Sequence, residues 1–443
     1  MWISFVIARG SFRMELPLFV FLLCFVITFV IGMPIALGMM MSSIFYCLLA
    51  PGPATGLQMV ATQFLTQLDV KFVLIAVPLF VFAANVMNRG EVTNRIFSFA
   101  DTVVGRWRGG LGHVNVVASI IFSGMTGSAI ADASGLGLME IEAMRRHGYG
   151  DGFSCAITAA SATIGPIFPP SIPMVFYAML SGASIGKLFI GGMIPGILVG
   201  IALMIYIAII AGKRGFPKGG EYSWPEFLKI SFNAIPALLT PVILIGGIYT
   251  GVVTPTEAGA LAGFYALVIS FTFYKALGWA ELKKIIIDTA TTTGKLTLIV
   301  GAAFSFSYII SIEKIPAMFA NLLLGITTNK YLLLLIINLI FLVLGMVIDT
   351  MAITLVFIPM VLPLINSLGI DLIHFGVVVV LNMMIGLSTP PFGMLLFITS
   401  GISGTPLLSV IKEILPMLIV LITVLLLITY FPEIVLFLPN RMG

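Results

Sequence analysis

The sequence predicts an all-α polytopic membrane protein made of two inverted-topology repeats, each with a re-entrant hairpin and a proline-broken transmembrane helix. Three observations carry this prediction. Of 443 residues, 60% are hydrophobic and 9% charged, with a mean hydropathy of +1.16, whereas a soluble domain carries about 25% charge. Two stretches, "IGPIFPPSIP" (Ile164–Pro173) and "IGLSTPPFGM" (Ile385–Met394), concentrate proline in an otherwise apolar chain. The two superpose when the chain is slid against itself by 221 residues.

The first observation makes lipid the solvent. A bilayer span needs roughly 20 apolar residues, and runs such as "LLLLIINLIFLVLGMVI" and "ILPMLIVLITVLLLITYF" provide them. They are continuous, unlike the alternating pattern of a membrane β-barrel. Cys24, Cys47 and Cys155 lie in apolar stretches with no pairing or metal spacing, so they read as core residues. The net charge of +4 fits basic cytoplasmic loops and not nucleic acid. No cleavable signal peptide is evident. Residues 1–13 stand apart as an N-terminal extension, with Met14 a plausible alternative start.

The repeat rests on identities at a fixed offset. Gly124/Gly345, Met125/Met346, Ile164/Ile385, Gly165/Gly386, Pro169/Pro390, Pro170/Pro391 and Phe176/Phe397 all match. Pro34/Pro255, Gly38/Gly259 and Pro195/Pro416 share the offset. The first repeat covers 14–211, with its hairpin at about 112–146 and its broken helix at about 151–181. A polar linker or arm spans 212–230. The second repeat covers 231–432, with its hairpin at about 329–368 and broken helix at about 372–400, and a tail follows at 433–443.

Lys and Arg gather at Arg89–Arg108, Arg145–Arg146, Lys213–Lys229 and Lys275–Lys284, which the positive-inside rule makes cytoplasmic. The loops near Pro51–Thr66, Gly251–Pro255 and Asn366–Asp371 have no Lys or Arg and then lie outside. Tracing the chain between these anchors gives an odd number of crossings per half, about five. One hairpin enters from each face, the build of many secondary transporters.

Helix breaks in a bilayer persist only inside protein or against a cavity. Two matched breaks therefore put half-helix ends and free carbonyls near the midplane, where they can hold a cation and a substrate anion. The hairpins are expected to reverse at glycine-containing tips, "FSGMTGSAIADASG" and "LGMVIDTMAITL". Ser123, Gly124, Thr126 and Ser128 in the first tip offer hydroxyls and close backbone approach, and Gly165 and Pro166 belong to the first break. Gly345, Asp349 and Thr350 form the second tip, and Gly386, Ser388, Thr389 and Pro390 the second break. Asp349 is the sharpest of these, a carboxylate far from any membrane surface; Asp132, on the second arm of the first hairpin, has a weaker case. Thr254 is expected to cap the helix after Pro255, with Glu257 in its first turn. Trp224 and Trp279 are placed as interfacial anchors on amphipathic arms.

An intramembrane aspartyl protease is the enzymatic alternative, because "GYGD" (Gly148–Asp151) matches its short pattern. That chemistry needs a second membrane aspartate, and Asp151 after "RRH" reads better as a helix N-cap. Neither an HExxH zinc motif nor a Walker A loop is present. The chain reads as a transporter and not an enzyme, without an organic cofactor.

Several motifs in order, "MPIALG", "VPLFVFAANVM", "SGMTGSAIADASGLG", "GPIFPPSIPMVFYA", "GVVTPTEAGALAG" and "GLSTPPFGMLLF", resemble the large membrane subunit of tripartite ATP-independent periplasmic (TRAP) transporters, DctM-type. The resemblance runs from Met14 to about Pro432. It implies an ion-transporter-like elevator fold in a bacterial inner membrane, importing organic anions such as C4-dicarboxylates, other carboxylates or acidic sugars, with sodium as coupling ion. It also implies two partners, a small four-helix membrane subunit as a separate chain and a periplasmic substrate-binding protein. Sodium is then expected at Ser123 with Gly165, and at Gly345 with Ser388 and Thr389, and Asp349 faces the substrate. A stand-alone sodium/dicarboxylate symporter is the runner-up, although its Ser-Asn-Thr hairpin signature is missing.

Overall fold

The computed structural model describes residues 16–50, 52, 55–70, 72–220 and 222–441. The N-terminal extension and the alternative start at Met14 lie outside the described residues. Within them the chain is helical from end to end, without a strand. Helices from Leu16–Val30 and Ile35–Leu49 to the long Ile185–Arg214 and Trp224–Tyr249 turn apolar side chains outward, among them Val30, Ile205, Ile209 and Phe232. Six helices are long and apolar enough to cross a membrane. The inside of the molecule is equally apolar, so the outward face is what marks lipid as its solvent.

The most enclosed segments are the broken helices. In Asp151–Ala162 every residue from Phe153 onward is buried, and in Leu372–Leu387 every residue from His374 onward. A helix apolar on all sides belongs in the interior. Each runs into a proline break and resumes, as Ile172–Ser181 and Met394–Ser403. Both breaks contain a cis peptide, Pro169–Pro170 and Pro390–Pro391.

Hairpin one comprises Gly110–Thr126, Ala129–Gly135 and Gly137–Arg146; hairpin two comprises Lys330–Val347 and Thr350–Ser367. The entering arm of each packs on the first half of its own broken helix. The resumed halves cross over: Ile172–Ser181 packs on the second arm of hairpin two, and Met394–Ser403 on that of hairpin one. This exchange brings both tips and both breaks to one place.

Local signals behave as their chemistry requires. Thr254 Oγ1 accepts from the Glu257 amide at 3.3 Å, and Glu257 Oε2 accepts from the Thr254 amide at 2.7 Å, a reciprocal capping box. Thr254→Ala is expected to cost about 1 kcal/mol, read as a lower unfolding midpoint. Hydrogen bonds from the Thr254 backbone and hydroxyl hold the Glu257 carboxyl below its usual range. Its stabilisation is therefore present above the unfolded value, about pH 4.3, and is lost as pH falls through the lower folded value; Glu257→Gln removes that acid dependence.

Two expectations need correction. Asp151 is not an N-cap: Gly150 holds the extended N-cap conformation, and Asp151 is the first helical residue, its carboxylate accepting from Arg145 Nε at 2.8 Å. Nor is Trp279 part of a short arm; it opens a continuous 34-residue helix, Trp279–Ile312, about 51 Å long at 1.5 Å per residue. The linker folds back on the first repeat, Gly219 N donating to Gly105 O at 2.9 Å.

Candidate substrate and cation site

The site is built from the start of each second arm. Ser128 and Asp349, 221 positions apart in the sequence, are both N-caps. Ser128 Oγ accepts from Ala131 N at 3.3 Å, and an Asp349 carboxylate oxygen accepts from Met351 N at 2.9 Å. Capping explains how each side chain is oriented without using all its acceptors. Between them lies a small cavity of about 70 Å³, bounded by Gly127, Ser128, Pro166, Ile172, Asp349 and Thr350 among others. Both hairpin tips, the first break and Met384 and Leu387 of the second broken helix contribute to its wall. Thr350 Oγ1 is buried without a partner.

Of the residues singled out from the sequence, Ser128, Pro166, Asp349 and Thr350 line this cavity. The remainder stand behind it. The Ser123 hydroxyl donates to its own helix at Ile120 O, 2.6 Å. Those of Ser388 and Thr389 both donate to Ile385 O, at 3.0 and 2.6 Å. A hydroxyl that donates backwards keeps its lone pairs for a cation. Thr126 Oγ1 is buried with no partner at all. Pro390 sits in the cis junction of the second break.

Tip one turns at a glycine of the expected stretch, and tip two does not. In tip one the turn is made by Gly127, with φ +61°, and a Cβ there would lie 2.4 Å from the Pro170 carbonyl oxygen. Gly124 lies within the helix, where a Cβ would sit 2.9 Å from Pro241. Gly165 lies beneath tip one, its would-be Cβ 3.4 Å from Ala129 N. Tip two turns at Ile348 and Asp349 in extended conformation, with no glycine in the turn. Gly345 instead presses on Gly386, whose would-be Cβ lies 2.6 Å from the Gly345 Cα. That contact joins hairpin two to the second break, and no side chain fits between them.

A buried polar stripe inside the first repeat was missed by sequence reasoning, except for Asp132. Asn115 Nδ2 donates to Glu140 Oε2 and to Thr158 Oγ1, each at 2.7 Å, and Asn115 Oδ1 accepts from Ser161 at 2.6 Å. Ser119 donates to Ser161 at 3.1 Å. Asp132 and Glu140 are 2% and 1% exposed, yet both Asp132 oxygens and Glu140 Oε1 have no partner. Buried carboxylates this poorly satisfied are costly. The offset of 221 puts Ile353 and Val361 opposite Asp132 and Glu140, and Ile336 and Ile340 opposite Asn115 and Ser119, so the two halves are chemically unequal.

Comparison with known proteins decides the family. Residues 22–434 match the model of the DctM component of the tripartite ATP-independent periplasmic transporter. The chain belongs to the DctM family. It is therefore a large permease subunit of a TRAP transporter, a multi-pass membrane protein and not an enzyme. Among curated DctM relatives, it is 43% identical over 409 residues to the sialic acid TRAP transporter large permease protein SiaM of Vibrio cholerae, covering 92% of this chain and 95% of that one. It is 37% identical to the C4-dicarboxylate large permease DctM of Pseudomonas aeruginosa, covering 84% and 87%. The YdaH transporter of Alcanivorax borkumensis shares the fold at a TM-score of 0.62 and 14% identity, covering 95% of this chain and 98% of that one. In this DctM chain the protease-like "GYGD" is a surface turn whose aspartate pairs with Arg145.

Proposed function

We propose that this permease imports an organic anion, an acidic sugar or a small dicarboxylate, together with sodium, by an elevator movement of the two hairpins and two broken helices. The observation that carries this reading is the cavity shared by both tips, with Ser128 and Asp349 on opposing caps. The helix starts at Ile172 and Thr350 reach its wall, and such starts favour anions. Asp349 repels one. An anion seated beside a buried carboxylate is stable only if cations enter with it, and we assign those cations to the hydroxyls and carbonyls of Ser123, Gly165, Gly345, Ser388 and Thr389, outside the cavity wall itself. A cavity of about 70 Å³ is small for a sugar acid or a dicarboxylate, so in this reading loading parts the tips.

The relatives named for sialic acid and for C4-dicarboxylates favour those two substrate classes. Membership of a tripartite family supports a bacterial inner-membrane location and partnership with a small membrane subunit and a periplasmic binding protein. The test is uptake of labelled sialic acid and of succinate into proteoliposomes holding both membrane subunits. The expected result is uptake of one of them that needs an inward sodium gradient and its binding protein. Uptake of either without any binding protein contradicts the tripartite reading and favours a stand-alone symporter.

A further inference from the structure

Where the linker folds back on the first repeat it encloses space that the transport site does not use. A cleft of about 740 Å³ lies between the end of helix Val92–Val104 and the linker, with Arg106, Lys218, Trp107, Tyr222 and Trp224 on its wall. Trp107 also borders a second groove of about 430 Å³, floored by Ile201, Met204, Ile205 and Ala208 of helix Ile185–Arg214. His113 lines this groove as well; it is 2% exposed, packs edge-on against Trp107 at 5.4 Å, and its Nδ1 has no partner.

We infer that the paired cleft and groove bind one anionic phospholipid, its phosphate between Arg106 and Lys218 and one acyl chain along Ile201–Ala208. Among the described residues neither Arg106 nor Lys218 pairs with a carboxylate. The nearby acids are engaged: Asp101 accepts from the Tyr222 hydroxyl, and Glu226 accepts from the Ser223 amide at 2.9 Å. Neither acid lines the cleft, whose described wall carries Arg106 and Lys218 but no carboxylate, so it offers positive charge for a phosphate and no partner for the ammonium of a zwitterionic head. The position agrees. These Lys and Arg clusters face the cytoplasm by the positive-inside rule, where anionic lipids draw basic segments. Trp107 and Trp224, 46% and 71% exposed, lie at the boundary that tryptophan prefers.

Close packing fixes the cleft. Gly219 lies so near Gly105 that a Cβ would approach its carbonyl oxygen to 2.3 Å, and Gly109 N donates to Pro217 O at 3.2 Å. A lipid seated here would brace the linker between the two repeats.

The experiment uses the purified full chain in neutral detergent, titrated separately with phosphatidylglycerol, with phosphatidylcholine of the same acyl chains, and with inorganic phosphate. Bound lipid is counted by native mass spectrometry and stability followed by melting. Phosphatidylglycerol is expected to raise the melting temperature by several degrees and remain bound one per chain; the other two are expected to do neither. Arg106→Gln with Lys218→Gln, exposed side chains without an ion-pair partner among the described residues, should remove the rise while the unliganded melt stays put. Ala208→Trp, which fills the groove, should remove it independently. An equal response to phosphatidylcholine, a full response to inorganic phosphate, or a rise that survives both variants would overturn the inference.

Discussion

Asp349→Ala is expected to reduce uptake to background while the protein still purifies as a folded membrane protein. The residue has two jobs that can be separated. As N-cap of Thr350–Ser367 it accepts from Met351 N at 2.9 Å, and losing a cap costs about 1 kcal/mol, too little to unfold the second repeat. As a carboxylate lining the cavity, it would in the proposed mechanism provide the local negative charge that cations balance. Asparagine caps a helix about as well as aspartate but carries no charge. Asp349→Asn should therefore melt like the parent protein and still fail to transport. Normal uptake by the asparagine variant would remove the charge from the account and leave Asp349 as a cap alone.

The second large effect is at the glycine contact. Gly386→Ala places a Cβ 2.6 Å from the Gly345 Cα and 2.7 Å from its carbonyl carbon. Both are backbone atoms, so no rotamer relieves the clash, and hairpin two must shift away from the second break. Overpacking typically costs about 1–3 kcal/mol and occasionally more, and a backbone-to-backbone contact belongs at the upper end. The melting temperature and transport should fall together, because the displaced hairpin carries Asp349 and Thr350 at its tip. Gly401→Ala is the control. It lies on the helix that resumes after the same break, with nothing within 4 Å of its would-be Cβ, and alanine is the better helix former by about 1 kcal/mol. A Gly386→Ala protein as stable as the Gly401→Ala control would show that the two glycines are not in contact.

Much of the architecture could be read from the chain because its signals are local or periodic. Proline announces where a helix stops, and the shared offset announces that it stops twice. Thr254 and Glu257 stand in a spacing that encodes their capping box. The positions of Ser128 and Asp349 could be read in the same way, since a capping residue after a turn has a sequence signature. The details that escaped depend on three-dimensional neighbours. Whether Gly345 makes a turn or a helix contact is decided by Gly386, 41 positions later. The stripe from Asn115 through Ser161 to Glu140 joins residues of three different helices, none of them unusual in its own segment. Only Asp132, an acid in an apolar stretch, could have announced it; Glu140, close to Glu142, Arg145 and Arg146, reads as part of a charged helix end. The basic cleft needs Arg106 and Lys218, more than a hundred positions apart, and forms only because the linker returns to Gly105.

The central claim is that the two breaks hold sodium beside the cavity. Its most direct test is the melting temperature of the purified protein in sodium chloride against equal potassium chloride and choline chloride. A cation that binds only the folded state adds about 2.7 kcal/mol at a hundred times its dissociation constant. The account predicts a rise specific to sodium that shrinks when Ser388 and Thr389 are both changed to alanine. Identical melting in all three salts, or a sodium-specific rise untouched by those two substitutions, would contradict a sodium site at the second break.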